Sequence, residues 1–288
     1  NNEHILTPLF ANVKVKDAIV DRIKSVKGIR PDSGPEVNKT VVHLYWQDDR
    51  AEIFLDTSGE TLAKHSYRKI PGKAPMLEAL AASTIMATKW DMKSTFINPM
   101  CGSGTLAIEA ALLATDKSPG LFRMNYAFMH ILGYDETVFF AERRALTDKA
   151  RKETGFKIIA SDISEDAVDI ARKNARTAGV EHLIDFAVCD FEDTEVPEQP
   201  GVVMFNPEYG ERLGVHTKLE ITYKRMGDFM KKKCLGYNGY VFTGNPDLAK
   251  KIGLKAARKI EFYNGKLDCR LFEYELYLGS KREPKEEN

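Results

Sequence analysis

Short apolar runs and helical segments alternate along the chain from about Pro75, and this alternation is the feature that most limits its possible folds. Strands are predicted at 95–98, 157–160, 183–188, 201–205 and 238–243, and helices at 75–90, 104–115, 165–177 and 217–234. Such an order is typical of βαβ units, whose crossover helices cover both faces of a mainly parallel sheet. Residues 259–278 have the pattern of two further strands joined by Asn264-Gly265, a hairpin signal. The chain is therefore predicted to be an α/β protein.

The first 60 residues have a separate pattern. A helix is predicted from Val13 to Val26, because apolar residues recur there at helical spacing. Two strands are predicted at 40–46 and 51–55, with Asp48-Asp49 as the turn between them. The predicted organisation is a small N-terminal α/β region, a linker, a main domain with a partly helical insertion at 116–153, and a charged, disordered tail. The corresponding boundaries are 1–60, 61–74, 75–280 and 281–288.

Composition argues against several classes of protein. Lys and Arg number 42, as do Asp and Glu, so the formal net charge is zero and no overall positive field indicates a nucleic-acid partner. No apolar run approaches the roughly 20 residues of a membrane span, and the first residues lack the layout of a secretory signal. Four widely spaced cysteines fit a reducing cytoplasm better than a disulfide framework, and scattered histidines predict no metal site.

Three polar turns follow successive predicted strands, at the sheet edge where open α/β folds bind ligands. In the first, 98–105, glycines let a ligand approach the backbone, although a Gly-x-Gly pair is equally typical of an ordinary tight turn. In the second, Asp162 can accept hydrogen bonds from ribose hydroxyls, and Ser164 is expected to cap the next helix and leave Asp162 free. In the third, Asp190 can accept from an adenine amino group beside the Phe191 ring.

The spacing of these turns argues against a nicotinamide cofactor. The fingerprint of dinucleotide-binding folds places its acidic residue about 20 residues after the glycines. Here the distance from Gly104 to Asp162 is far longer. A fourth turn, described next, therefore decides which class of cofactor the chain binds.

That fourth turn is Asn206-Pro207-Glu208-Tyr209-Gly210, after an apolar strand. An aryl amine is a poor nucleophile because its lone pair is delocalised into the ring. An Asn side-chain oxygen and the next backbone carbonyl can both accept from the amino group and turn its lone pair toward a sulfonium methyl group. Proline fixes the backbone, and an aromatic ring can stack on a flipped-out base. The plainer interpretation is a strand-terminating Asn-Pro turn.

Several segments resemble one enzyme family. Residues 98–109, NPMCGSGTLAIE, are similar to motif I of bacterial N2-guanine methyltransferases of 23S ribosomal RNA. Residues 206–213, NPEYGERL, resemble the Asn-Pro-Pro-Tyr-Gly-Glu-Arg-Leu signature of that family. Shorter matches lie at 14–18, 114–116, 118–121 and 264–269. One departure is Glu208, which occupies the position of the second proline of the signature and places a carboxylate beside the chemistry.

The resemblance implies a Rossmann-like class I methyltransferase sheet with helices on both faces. It implies that an RNA-binding THUMP domain precedes this sheet, and residues 1–60 resemble only the C-terminal part of that domain. It further implies S-adenosyl-L-methionine as cofactor and methyl transfer to the N2 amine of a guanine. The implied partner is 23S ribosomal RNA or a large-subunit precursor in the cytoplasm, with no metal and no membrane.

Site residues carried over by motif fall into three groups. The cofactor would be bound by Asn98, Pro99, Cys101, Gly102, Gly104, Thr105, Asp162, Ile163, Asp190 and Phe191. The target amine would be held by Asn206, Pro207 and Tyr209. Residues 64–69 mix basic and aromatic side chains, a composition suited to single-stranded RNA, and Tyr67, Arg68 and Lys69 are predicted to contact RNA.

Two alternatives remain open. The same Asn-Pro-x-Tyr turn serves enzymes that methylate adenine N6 in RNA or DNA, or the glutamine amide of release factors. A non-catalytic RNA-binding scaffold that has kept the fold is the other alternative, and Glu208 is the residue that invites it. Binding of the cofactor separates these cases, because a scaffold has no need of it. Cys101 could also be a nucleophile, but its place inside the glycine turn favours packing.

Overall fold

The computed structural model describes residues 7–70, 76–209 and 216–277. The predicted tail, 281–288, and the signature residues 210–213 lie outside these ranges. The chain forms two compact units, one of Asn1–Leu62 with Arg123–Glu142, and one of Ala63–Phe122 with Arg143–Asn288. The segment Arg123–Glu142, which lies inside the predicted main domain, thus groups with the N-terminal unit.

Each strand and helix predicted by pattern is present, with shifted ends in all but the strand Asn238–Thr243, which has the predicted bounds. The helices are α1 Pro8–Lys27, α2 Glu78–Met86, α3 Thr105–Ala114, α4 Glu136–Lys149, α5 Glu165–Ala178, α6 His216–Lys233 and α7 Pro246–Lys251. The strands are β1 Val41–Gln47, β2 Arg50–Asp56, β3 Phe96–Pro99, β4 Ile158–Asp162, β5 Ile184–Val188, β6 Val202–Phe205, β7 Asn238–Thr243, β8 Arg258–Asn264 and β9 Leu267–Glu275. The short helix α7 was not predicted.

Helix α1 begins earlier than the apolar spacing predicts. The side chain of Thr7 accepts a hydrogen bond from the Phe10 N–H, and Pro8 occupies the first helical position. Both are strong start signals, because a capping oxygen satisfies an otherwise unpaired N–H and proline has none to lose. The helix ends where Gly28 takes a left-handed conformation with φ 74°.

The N-terminal unit joins α1 to an antiparallel hairpin, with Val41 opposite Asp56. The segment Arg123–Glu142 adds a cluster of aromatic rings, and Tyr126 and Phe128 stack with ring centroids 5.3 Å apart. The Arg123 guanidinium lies over the Tyr126 ring and donates hydrogen bonds to the backbone carbonyls of Ser58 and Glu60. These bonds explain why part of the predicted insertion belongs to this unit.

The second unit contains a seven-stranded sheet in the order β5-β4-β3-β6-β7-β9-β8. Strands β3 to β7 are parallel, and β9 runs antiparallel to β7 and β8. Strands β4 and β5 are added in turn on one side of β3, and β6 and β7 are then added on the opposite side of β3. The order therefore reverses between β3 and β6, which is where such sheets form a ligand crevice.

Two core layers cover this sheet, because successive side chains of a strand point to opposite faces. Phe96 and Ile158 pack in one layer with residues of α2, α3 and α5, whereas Ile97 and Ile159 pack in the other with residues of α6 and α7. Strands buried on both faces are expected for a parallel sheet between helices. The predicted Rossmann-like sheet with helices on both faces is confirmed.

Candidate active site

In the first turn, Gly104 occupies a position that no other residue fits well. Gly104 has φ 80°, and a Cβ there would lie 2.8 Å from the Cβ of Ala171 in α5. The Gly104 carbonyl accepts from the Ile108 N–H and starts α3, with Thr105 buried at its first position. The turn therefore packs closely against α5, and the first N–H groups of α3, which have no partner within the helix, follow it directly.

Cys101 ties the first turn to the neighbouring strand. Its N–H donates to the Ser161 carbonyl at 2.8 Å, and its side chain is buried. Burial, together with the charge of Asp162, raises the pKa of the Cys101 thiol well above its ordinary value. The thiol stays protonated at neutral pH, which favours packing over nucleophilic chemistry because the thiolate is the reactive form.

Asp162 connects the first and second turns. Its Oδ2 accepts from the Gly102 N–H at 2.9 Å, and its Oδ1 accepts from the Ser164 N–H at 3.0 Å. Ser164 caps α5, as predicted, by accepting from the Ala167 N–H. The expectation that capping by Ser164 leaves Asp162 free is wrong, because its carboxylate already accepts two backbone hydrogen bonds. A carboxylate has about four acceptor positions, so capacity for ribose hydroxyls remains.

Ile163 and Pro99 lie at the same edge of the sheet. Pro99 is the buried last residue of β3. Ile163 directly follows β4, and 73% of its surface is exposed. An apolar side chain exposed at the rim of a ligand crevice is available to pack on a flat ring.

Asp190 is held by an arginine that the sequence analysis missed. Its Oδ1 accepts from the Glu192 N–H at 3.0 Å and from the Arg225 guanidinium at 2.9 Å. Burial raises the pKa of Asp190, but these two hydrogen bonds outweigh it, and the pKa lies below its ordinary 3.8. The carboxylate is therefore ionised at neutral pH. Arg225 comes from α6, 35 residues further along the chain, so no local pattern links the two.

The ring of Phe191 lies in the core rather than at the crevice. It is 6% exposed and meets Phe205 and Phe229 edge-on, with centroids 6.0 and 6.1 Å away. The Arg225 guanidinium covers it at 4.9 Å. The ring therefore packs in the core beneath the Arg225 guanidinium, and its packing beside a bound adenine stays a prediction.

Two asparagines carry buried oxygens with no hydrogen-bond partner in the described part of the chain. Asn98 at the end of β3 donates from Nδ2 to the Met204 carbonyl at 3.0 Å, but its Oδ1 is unpaired. The Oδ1 of Asn206, directly after β6, is unpaired as well. Leaving a buried carbonyl oxygen unmatched costs about 1–3 kcal/mol, so such atoms are typical of positions that a ligand completes.

Residues 206–209, hereafter the acceptor loop, follow β6 into the crevice. Pro207 is buried, Glu208 is exposed and Tyr209 is half-buried. Burial raises the pKa of Tyr209, so its hydroxyl is neutral at physiological pH. The Glu208 side chain makes no hydrogen bond or ion pair among the residues described, so the carboxylate stays in solvent.

The Tyr209 ring is enclosed by residues from two distant loops. A Cβ at Gly244 would lie 3.3 Å from Tyr209 Cδ2 and 2.9 Å from Leu267 Cδ2, so a glycine there leaves room for both side chains. Asn264, at the end of β8, donates from Nδ2 to the Tyr209 hydroxyl at 3.5 Å. The family match at 264–269 pointed to this hairpin, but only the fold shows that it supports the acceptor loop.

The three predicted RNA contacts, Tyr67, Arg68 and Lys69, differ in their exposure to solvent. Tyr67 is 1% exposed and packs edge-on against Phe122, so its ring is not available to stack on a base. Arg68 is partly buried, with 9% of its side chain exposed, and its guanidinium lies 3.1 Å from the Glu78 carboxylate. Lys69 alone of the three is exposed. The mixed local composition was misleading because long-range packing draws Tyr67 and Arg68 inward.

The segment 64–69 also contacts the helix that follows the glycine turn. His65 Nδ1 lies 2.8 Å from the Glu109 carboxylate of α3. Burial raises the pKa of Glu109, and the contact with His65 partly offsets that shift. His65 thus ties residues 64–69 to α3, the helix that begins at the glycine turn.

The described residues contain no group of three or more His, Cys, Asp or Glu side chains arranged to hold a metal ion. Among their helices, none has the length and apolar character needed to cross a membrane.

Comparison with known proteins identifies the family. Residues 65–273 match the model of the RMKL-like methyltransferase domain, UPF0020. The chain belongs to this family. The predicted methyltransferase class is thereby confirmed, and the match spans the glycine turn, both aspartates and the acceptor loop.

Two relatives of this RMKL-like domain are named ribosomal RNA large subunit methyltransferase K/L. The chain is 35% identical to that of Allochromatium vinosum over 94% of its own length, and 37% identical to that of Shewanella woodyi over 95%. It spans 38% and 39% of the lengths of these two proteins.

Two solved structures resemble the RMKL-like chain closely. SMU.472, assigned to the methyltransferases and complexed with SAH, superposes with a TM-score of 0.80 at 31% identity, covering 92% of this chain and 70% of that one. A protein of Listeria monocytogenes, named as a predicted N6-adenine-specific DNA methylase, has a TM-score of 0.80 and 31% identity, covering 91% of this chain and 67% of that one. The bound S-adenosylhomocysteine of SMU.472 agrees with the S-adenosylmethionine expectation.

Proposed function

We propose that the protein binds S-adenosylmethionine and transfers its methyl group to the N2 amine of a guanine in 23S ribosomal RNA or a large-subunit precursor. The observation that carries this proposal is the unpaired, buried Oδ1 of Asn206 at the carboxyl end of β6. The names of the K/L relatives support ribosomal RNA as the substrate.

The residues at the crevice fit the cofactor. Asp162 and Asp190 offer carboxylate oxygens for ribose hydroxyls and an adenine amino group, and the buried Oδ1 of Asn98 on the neighbouring strand β3 is unpaired. The exposed Ile163 side chain would pack on the adenine ring. When bound, the cofactor supplies an electrophilic methyl group on a positively charged sulfur.

The acceptor loop would orient the amine. The Asn206 Oδ1 and the Pro207 carbonyl accept the two amino hydrogens, so the nitrogen lone pair turns toward the methyl group. As the nitrogen gains positive charge, the same two oxygens stabilise it, and its extra proton passes to solvent. The Tyr209 ring would stack on the extruded base, in the manner of enzymes that act on flipped nucleotides. No strong base is required.

Adenine N6 is the second candidate acceptor. The Listeria relative, named as a predicted N6-adenine-specific DNA methylase, favours it. The Asn206 arrangement serves either amine, because both present two N–H groups. Guanine is preferred on the motif resemblance at 98–109 and 206–213.

The N-terminal unit would supply RNA affinity. We infer that residues 1–60 are the C-terminal part of a THUMP-like region, that 61–74 form a linker, and that 75–280 form the catalytic domain. Lys69 is the one predicted RNA contact that the structure leaves exposed. We place the protein in the cytoplasm, where ribosomal RNA precursors are modified.

Transfer of radiolabelled methyl from S-adenosylmethionine tests the proposal, with unmodified 23S RNA and duplex DNA as parallel substrates and nucleoside digestion of each product. N2-methylguanosine from the RNA supports the proposal. N6-methyladenosine from either substrate establishes the second candidate instead. Absence of both transfer and cofactor binding identifies a scaffold that has kept the fold.

A further inference from the structure

The two backbone carbonyls at the end of the acceptor loop are each held by a side chain from elsewhere in the fold. The Tyr223 hydroxyl of α6 donates to the Glu208 carbonyl at 3.4 Å. The Asn245 Nδ2 donates to the Tyr209 carbonyl, also at 3.4 Å. Both bonds are long, as hydrogen bonds at catalytic sites often are before the substrate complex tightens them.

Thr243, the last residue of β7, joins these two anchors. Its Oγ1 accepts from the Asn245 N–H at 3.1 Å and lies 2.8 Å from the Tyr223 hydroxyl. Tyr223 has one hydroxyl proton. When that proton is donated to the Glu208 carbonyl, the Thr243 hydroxyl donates to Tyr223 Oη, and the hydrogen bonds run in one direction from Asn245 through Thr243 and Tyr223 to Glu208.

Burial makes this chain rigid. Tyr223 is fully buried and Thr243 is 1% exposed, so neither hydroxyl can exchange its partner for water. The Asn245 amide is fixed as well, since its Oδ1 accepts from the Asp247 and Leu248 N–H groups and caps α7. The other side of that amide, Nδ2, is then directed at the acceptor loop.

The sequence of the loop explains why it needs such support. Glu208 occupies a position at which the resembling signature has a second proline, whose ring would fix φ near −65°. Glu208 lacks that restraint, and its side chain is exposed. The Glu208 carbonyl is instead held by the hydrogen bond that the Tyr223 hydroxyl donates to it.

We propose that Tyr223, Thr243 and Asn245 are positioning residues that hold the acceptor loop in its methyl-accepting conformation, doing by hydrogen bonding what a second proline does by covalent restraint. The inference rests on the proposed role of Asn206 and Tyr209 in holding the target amine. It adds three residues, none of which touches the substrate.

Substitution of Tyr223 tests this inference most directly. Y223F removes only the hydroxyl, and it should increase amide hydrogen exchange of a peptide covering the acceptor loop. The turnover number should fall about 10-fold, with KM for the RNA and the cofactor dissociation constant within about twofold of the wild type. Y237F is the matched control, because the buried Tyr237 hydroxyl also donates to loop carbonyls, those of Pro197 and Gln199, at another part of the sheet.

Rescue by proline distinguishes positioning from general stability. Adding E208P to Y223F should restore both the slow exchange of the loop and most of the turnover, because the ring replaces the lost restraint. N245S provides a second variant: serine can still cap α7 but has no amide to donate to Tyr209, so Tm should hold while loop exchange rises.

The inference is overturned if Y223F and Y237F give the same exchange in the acceptor loop, or if E208P fails to reverse the effect of Y223F on exchange. It is also overturned if exchange rises equally in the turn at 98–105, which indicates a general loss of structure. Hydrogen exchange needs no methyl acceptor, so it can be measured even if the wild type does not methylate guanine. Failure to methylate guanine would count against the proposed function but not against this inference.

Discussion

The cofactor half and the acceptor half of the crevice differ in how tightly the protein itself hydrogen-bonds their polar groups. In the cofactor half, both carboxylates already accept hydrogen bonds of 2.9–3.0 Å from the protein. In the acceptor half, the key oxygen of Asn206 is unpaired, and the supporting bonds to the loop measure 3.4–3.5 Å. On the proposed roles, the protein already positions the two carboxylates of the cofactor half, whereas the Oδ1 atoms of Asn98 and Asn206 would gain partners only from bound ligands.

Asn206→Ala should have the largest effect, and it should reduce methyl transfer without reducing cofactor binding. It removes the unpaired acceptor and leaves the carboxylates untouched. Loss of one group that stabilises developing charge costs about 100- to 1,000-fold in rate, so we expect methyl transfer to fall by at least about 100-fold. Single-turnover transfer and calorimetric cofactor binding measure the two effects, and an equal loss of both would contradict the assigned role.

Gly104→Ala should damage the preformed half through stability. The added Cβ meets Ala171 at 2.8 Å, and the positive φ is unfavourable for alanine. We expect a loss of about 1–3 kcal/mol in the free energy of unfolding, measured by urea denaturation with the cofactor absent. Gly102→Ala is the control, because it shares a positive φ but its Cβ meets nothing within 4 Å. A smaller cost at Gly104 than at Gly102 would show that contact with α5 is unimportant.

Asp162→Ala should weaken cofactor binding by about 10-fold. The substitution leaves the Gly102 and Ser164 N–H groups without their acceptor and removes the proposed ribose ligand. Asp162→Asn keeps one acceptor oxygen and should lie between the wild type and the alanine variant. Titration of the cofactor followed by calorimetry gives the order, and unchanged affinity in the alanine variant would remove Asp162 from the site.

Arg225→Gln should have the smallest effect at neutral pH, about threefold in cofactor affinity, because the Arg225–Asp190 pair is partly exposed. Its pH dependence is more informative. Arg225 and the Glu192 N–H hold the pKa of Asp190 below its ordinary value, so the wild-type carboxylate stays ionised as the pH falls toward that lowered pKa. Without Arg225 the pKa rises, and affinity should decline from a higher pH. Identical pH profiles for the two proteins would exclude this role.

Local signals in the sequence were sufficient for the sheet and for most of its helices. Ser164 and Gly179 mark the two ends of α5, and the structure places both as caps. Helix α7 escaped prediction because six residues are too few for a helical period, although Asn245-Pro246 is a start signal. Short elements are therefore better detected by their caps than by their apolar spacing.

Long-range contacts account for the errors at the site. Asp162 is engaged by Gly102, 60 residues away, and that pairing depends on the register of two parallel strands. Tyr67 has polar neighbours in the chain but packs against Phe122. Neither contact has a signature in the nearby sequence, because each is set by how strands and helices meet in space.

The hydrogen bond from Asn98 Nδ2 to the Met204 carbonyl has an evolutionary consequence. It links the strand that leads to the glycine turn with the strand that leads to the acceptor loop, at 3.0 Å. On the proposed assignment, the distance over which the methyl group is transferred depends on the spacing of these two strands, whereas the choice of target amine depends on the acceptor loop that follows β6. On the same assignment, substitutions in the acceptor loop and in the β8–β9 hairpin would change the target nucleobase while leaving the cofactor turns intact.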